Sequence, residues 1–144
     1  MNYGFIKVAS AVPSVKVADC KYNVEQIEQQ IILAEGQGVE IIVFPELSLT
    51  GYTCQDLFRQ NLLLETTESA MLMLLDFTRQ LNIISIVGLP IAVGDLLLNC
   101  AAIIQKGQIL GIVAKEYLPN YNEFYEKRWF ASVQDLRTTE LRFA

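Results

Sequence analysis

The sequence contains no histidine. That removes Ser–His and Cys–His dyads and most zinc sites, because imidazole is the usual neutral-pH base and the commonest metal ligand. Cysteine is scarce and odd in number: Cys20, Cys54 and Cys100 lie far apart and make neither a disulfide framework nor a CxxC pair. Basic residues are outnumbered, 11 Lys and Arg against 16 Asp and Glu, for a net charge of −5. No basic footprint therefore argues for nucleic acid or an anionic membrane. Long apolar runs are also missing. "IISIVGLPIAV" falls short of the ~20 residues that span a bilayer, and no charged-then-apolar leader opens the chain, so the expected location is the cytoplasm.

What remains is a core-rich composition. The 144 residues are 52% hydrophobic and 19% charged, enough for one domain that buries roughly 70% of its unfolded surface. No linker, repeat or low-complexity tract interrupts them. "FIKVASAVP" (Phe5 to Pro13) reads as a first strand closed by proline. Asn23 is a candidate cap for a helix with Val24, Ile27, Ile31 and Ala34 on one stripe, stopped by Gly36 and Gly38. "VEIIVFPE" (Val39 to Glu46) is a continuous apolar run, expected as a strand covered on both faces. Residues 62–81 carry Met71, Leu74, Thr78 and Leu81 on one stripe of a second helix. "NIISIVGLP" is a third strand. "LLLNCAAIIQKGQILGIVAKEYL" reads as two strands joined at Gln105-Lys106-Gly107-Gln108, with a positive φ expected at Gly107. The alternation implies an α/β fold with a mixed sheet.

Ligands of open α/β sheets gather at the carboxyl ends of strands. Two ionisable residues end apolar strands: Glu46 after "IIVFP" and Lys115 after "ILGIVA". Each could be only a solvated strand end. Pro45, however, removes a backbone donor and takes the chain out of the sheet at Glu46. A partly desolvated carboxylate there suits a general base, and a neighbouring lysine could stabilise an oxyanion. Beyond Lys115 runs "KEYLPNYNEFYEKRWFAS", an aromatic and acidic stretch where surface loops are ordinarily small and polar. Glu123 and Glu126 lie three apart beside Lys127 and Arg128, which a short helix with surface ion pairs would equally explain. Phe124, Tyr125, Trp129 and Phe130 read as core or interface, and Asp56 as a cap or a solvent-facing residue.

"FPELSLTGY" (Phe44 to Tyr52), together with Lys115 opening "KEYLPNYNEFYEKRWF", resembles the carbon–nitrogen hydrolase (nitrilase-like) superfamily. It is most similar to the amino-terminal glutaminase domains of bacterial glutamine-dependent NAD synthetases. The resemblance runs over essentially the whole chain and is clearest in residues 40–58 and 111–130. It implies the first half of a four-layer α-β-β-α sandwich, with residues 1–144 a single partial domain and the synthetase domain absent. It also implies that Glu46 takes the proton of a cysteine thiol and that Lys115 holds the oxyanion formed on the side-chain amide of glutamine. Glu126 matches a supporting glutamate, with Glu123 the runner-up, and Tyr121 matches a tyrosine that contacts glutamine.

That family's nucleophilic cysteine lies several tens of residues beyond the lysine, past Ala144. Cys54 occupies no nucleophile position of that family, Cys20 precedes the first helix, and Cys100 lies inside an apolar strand, where a buried thiol is normally inert. No SGGxDS-like pyrophosphate loop is present either, so ATP and Mg2+ belong to the synthetase domain of the parent enzyme and no cofactor is expected here. The expectation is thus a glutaminase portion, inactive alone. A truncated amidase of another substrate and a catalytically dead binding module remain as alternatives. Half a sandwich exposes an apolar sheet face, so a homo-oligomer is expected.

Overall fold

A computed structural model describes residues 4–137. The strands are β1 (Val8–Ser10), β2 (Ile41–Val43), β3 (Ile84–Val93), β4 (Leu96–Gln105) and β5 (Gln108–Ala114), and the helices are α1 (Cys20–Gly36) and α2 (Asn61–Phe77). The strands form one sheet in chain order, 1-2-3-4-5. Pairing is parallel from β1 to β3 and antiparallel from β3 to β5. β2, β3 and β5 therefore all point their carboxyl ends toward the same edge. The strand expected over Val39 to Glu46 is only Ile41–Val43, so the chain reaches Glu46 three residues past the end of β2, and Lys115 directly follows β5.

The stripe expected on α1 is the buried one: Val24, Ile27 and Ile31 are fully enclosed and Ala34 nearly so. The cap differs from expectation. Asp19, not Asn23, accepts the Tyr22 amide at the N-terminus of α1. Asn23 sits inside the helix, fully buried, because its amide has other partners: it donates to the Lys16 and Leu49 carbonyls and accepts from the Lys16 amide. It fastens the incoming loop to the turn after β2. The second helix ends at Phe77 and tightens into a 3-10 turn over Thr78–Gln80. Met71, Leu74 and Thr78 are buried against the sheet side, as their spacing required.

The first strand is shorter than "FIKVASAVP" suggested, since among the described residues it pairs with β2 alone, over three residues. The turn between β4 and β5 falls at Lys106-Gly107, with φ of 51° and 75°, the double positive φ of a tight hairpin. Register fixes which residues share a face. Ile42, Val87, Cys100 and Ala102 lie under the helices. Val8, Val43, Ile86, Ala101, Ile103 and Val113 line the opposite face, where Val8 and Val113 are each 62% exposed. The expected strand covered on both faces is thus covered on one, because both helices pack on the same side. These are two layers, one of helices and one of strands.

Among the described residues, no helix is long and apolar enough to cross a membrane. Of the closing segment Val133 to Ala144, Val133–Asp135 forms a 3-10 turn, and residues from 138 onward lie outside the described residues.

Candidate active site

The site starts where β2 leaves the sheet. The Phe44 amide makes the last ladder bond, to the Ile86 carbonyl at 2.9 Å, and Pro45 then has no N–H to continue it. The chain turns sharply through Glu46 and Leu47, with Leu47 at φ 52° although its side chain is fully buried. A left-handed residue other than glycine costs about 1–2 kcal/mol, so the surroundings must hold it.

Gly88 and Ser48 do so. The Ser48 hydroxyl accepts the Gly88 amide at 3.2 Å, and the Gly88 carbonyl accepts the Leu49 amide at 3.1 Å, replacing the ladder that β2 abandons. A Cβ on Gly88 would lie 2.3 Å from the Leu47 nitrogen and 2.7 Å from the Pro45 carbonyl oxygen. Only glycine lets the elbow approach so closely. Gly88→Ala is expected to destabilise the chain by about 3 kcal/mol, the upper end of an overpacking penalty, since backbone must give way. Urea denaturation measures it, and a variant as stable as the parent would contradict the tight elbow.

Three of the five sequence-derived candidates come together at this edge. The Lys115 ammonium lies 2.7 Å from Glu46 Oε1 and 3.0 Å from both oxygens of Glu126. Glu126 is 2% exposed, whereas Glu46 keeps 40% of its side chain open. The Tyr52 hydroxyl donates to Glu126 Oε1 at 2.8 Å, and the Asn99 amide donates to Glu46 Oε1. The result is a continuous chain of contacts, Tyr52–Glu126–Lys115–Glu46–Asn99. Burial works against the charge of Lys115, but hydrogen bonds and attraction from Glu46 and Glu126 outweigh it and hold its pKa above the ordinary lysine range. Lys115 is therefore a persistent cation, not a free amine. Burial, with the Glu126 carboxylate beside it, pushes the Tyr52 phenol up as well, which keeps it a donor.

The other two candidates are not brought in. Tyr121 is 64% exposed with its ring edge against Phe124, and Glu123 is exposed on the same loop and joins none of these contacts. The short surface-paired helix that could have explained both glutamates is absent. Glu126 instead opens a 3-10 turn over Glu126–Arg128 with its side chain turned inward.

The loop bearing Glu126 is clasped from outside. Arg128 meets the Asp56 carboxylate through two nitrogens, at 2.9 and 3.0 Å, and the Trp129 indole donates to it at 3.0 Å. Those bonds, from Arg128 first and Trp129 next, hold the Asp56 carboxyl well below the usual carboxylate range. Phe58 stacks edge-on against buried Phe130 at 4.9 Å. Trp129 and Phe130 thus anchor the loop, whereas Tyr117, Tyr121 and Tyr125 stay exposed.

Glu46, Asn99 and Lys115 rim a hollow of about 330 Å³ on the uncovered sheet face, floored by Val43, Ile86, Gly88, Ala101 and Val113. An apolar floor with a polar rim suits a small aliphatic chain ending in a polar group. Neither Cys54 nor Cys100 offers a thiolate to it. Cys54 is buried and donates to the Thr50 carbonyl, and burial raises its pKa; burial pushes the Cys100 thiol up to about 12.

The carbon-nitrogen hydrolase family profile matches residues 7–144. The chain belongs to that family. Curated relatives include glutamine-dependent NAD(+) synthetases from Mycobacterium leprae, 35% identical over 93% of this chain and 20% of the relative, and from Aquifex aeolicus, 41% identical over 79% of this chain and 20% of the relative. The chain spans about a fifth of the length of the curated relatives it matches. A glutamine-dependent NAD(+) synthetase structure from Cytophaga hutchinsonii superposes with a TM-score of 0.83 at 31% identity, over 88% of this chain and 22% of that one. An amidase of the nitrilase superfamily from Nesterenkonia AN1, 22% identical, superposes with a TM-score of 0.77 over 88% of this chain and 48% of that one. That likeness gives the fold: this carbon-nitrogen hydrolase chain carries the first helix and sheet layers of a nitrilase-like sandwich.

Proposed function

We infer that the chain is the amino-terminal part of a glutamine-hydrolysing unit that feeds ammonia to NAD synthesis. The observation that carries this is the contact of Lys115 with both Glu46 and Glu126 over the open hollow, in a chain 35% identical to glutamine-dependent NAD(+) synthetases.

Glu46, the exposed carboxylate, takes a proton from a cysteine thiol, and the thiolate attacks the side-chain carbonyl carbon of glutamine. The carbonyl electrons move onto oxygen, where the Lys115 cation stabilises them. Collapse breaks the C–N bond as protonated Glu46 returns its proton to departing ammonia, leaving a thioester. Glu46 then draws a proton from water, whose attack releases glutamate and the thiol. Glu126 acts from beneath: buried and unable to leave, it holds the ammonium toward Glu46. Tyr121 and Glu123 stand on the outer loop as candidate contacts to the glutamine backbone groups.

The nucleophile in this reading lies outside this chain, so the isolated chain hydrolyses no glutamine. The synthetase domain, with ATP and Mg2+, would convert deamido-NAD to NAD. Among the described residues no group of three His, Cys, Asp or Glu could hold a metal, and no residue here is assigned to Mg2+ or ATP. The uncovered sheet face would pack against a second sheet layer of the same unit, and a homo-oligomer would cover it in the chain alone.

The test is the choice of nitrogen donor. The polypeptide carrying this chain, given deamido-NAD and ATP, is expected to form NAD with glutamine and release glutamate one for one. Formation of NAD from ammonium but never from glutamine would overturn the reading.

A further inference from the structure

Glu46 receives both its donors on one oxygen. Lys115 Nζ and Asn99 Nδ2 both point at Oε1, while Oε2 has no protein partner among the described residues. Asn99 stands in the middle of β4 at 3% exposure. Its backbone carbonyl accepts the Lys115 amide at 2.8 Å, so the same residue that holds the base also seats the cation on the ladder.

We propose that Asn99 is a positioning residue: it pins Glu46 by Oε1 and thereby presents Oε2 as the atom that exchanges the proton. The proposal deepens the glutaminase reading above and rests on it for its chemical meaning. A carboxylate at the tip of two sp3 torsions samples several rotamers, and 40% of the Glu46 side chain is open to solvent. Lys115 alone is a poor jig, since an ammonium is a flexible, near-spherical charge. An asparagine on a central strand has a fixed backbone and a planar, directional donor, so it sets where the carboxylate plane lies. The donor can only be Nδ2, because an ionised carboxylate offers acceptors alone. Isolated polarity in "LLLNCAAII" is otherwise costly in a buried strand, and a side chain serving only the strand would bond backbone. This one reaches across to a different element.

Two measurements test it. In the 15N-labelled chain, one Asn99 side-chain amide proton is expected well downfield of its geminal partner and slow to exchange, and Glu46→Gln should abolish that separation. In the polypeptide carrying this chain, Asn99→Leu should lower kcat with glutamine on the order of 100-fold, the cost of a misaligned reacting group, with KM changed less than about threefold. Asn99→Asp keeps the shape but loses the donor and sets carboxylate against carboxylate, so it should fall at least as far. An Asn99 signal indifferent to Glu46→Gln, or full kcat in Asn99→Asp, overturns the proposal. The amide signal is read without any reaction. If it behaves as expected while glutamine is not a substrate, the functional reading fails and the Asn99–Glu46 tether stands.

Discussion

Replacing Glu46 by glutamine is expected to lower glutamine-dependent turnover by about 10²–10⁴-fold, the span that positioned general acid–base groups contribute. The substitution keeps the shape of the side chain while removing the charge and the basic lone pair. Its selectivity is the informative part. Free ammonium bypasses hydrolysis, so NAD formation from ammonium should be little changed in the same variant of the polypeptide that carries this chain. Steady-state rates with the two nitrogen donors, measured side by side, decide it. Equal losses with both donors would mean that Glu46 supports the fold or an interface and does not serve proton transfer.

A second large effect is energetic. Lys115→Met is expected to cost the chain about 3–5 kcal/mol, because it strands the charge of a glutamate that is 2% exposed. Methionine preserves the aliphatic stem, so packing loss is small. Glu126 would retain one hydrogen bond, from Tyr52, which is too little for a buried carboxylate. Glu126→Gln in the same background removes that charge and should recover most of the loss, giving a strongly non-additive cycle. Chemical denaturation of the four variants measures all of it. A loss under about 1 kcal/mol in Lys115→Met would show the pair to be a surface ion pair of ordinary worth.

Much of this arrangement was legible in the residues. The apolar stripe of α1, the hairpin at Lys106-Gly107 and the placing of Glu46 and Lys115 just beyond two strands all follow from local pattern, because burial period and turn chemistry act over a few positions. Glu126 was legible only through resemblance, since its neighbours Lys127 and Arg128 permitted a solvated turn. In the structure it turns inward onto Lys115 and Tyr52, while Arg128 pairs with Asp56, 72 residues away. Asn99, Ser48 and Gly88 were missed as site residues for the same reason. Each acts on a group more than ten residues distant, and a single chain does not display such pairs. The signals were faint but present: one asparagine in an apolar strand, and one glycine before "LP" where a strand has no need of flexibility. Asn23 misled by standing near the helix start, where asparagine usually caps, while its buried partners lay in two loops.

The contacts that assemble the site close long stretches of chain: 53 residues between Glu46 and Asn99, 69 between Glu46 and Lys115, and 74 between Tyr52 and Glu126. No short segment can hold the two ends of any of these three contacts together, and the entropy of closing such loops is recovered only when the intervening sheet and helices are in place. Reactivity at this edge is therefore as cooperative as folding itself. A partly ordered chain would carry none of the acid–base geometry, not a weaker version of it.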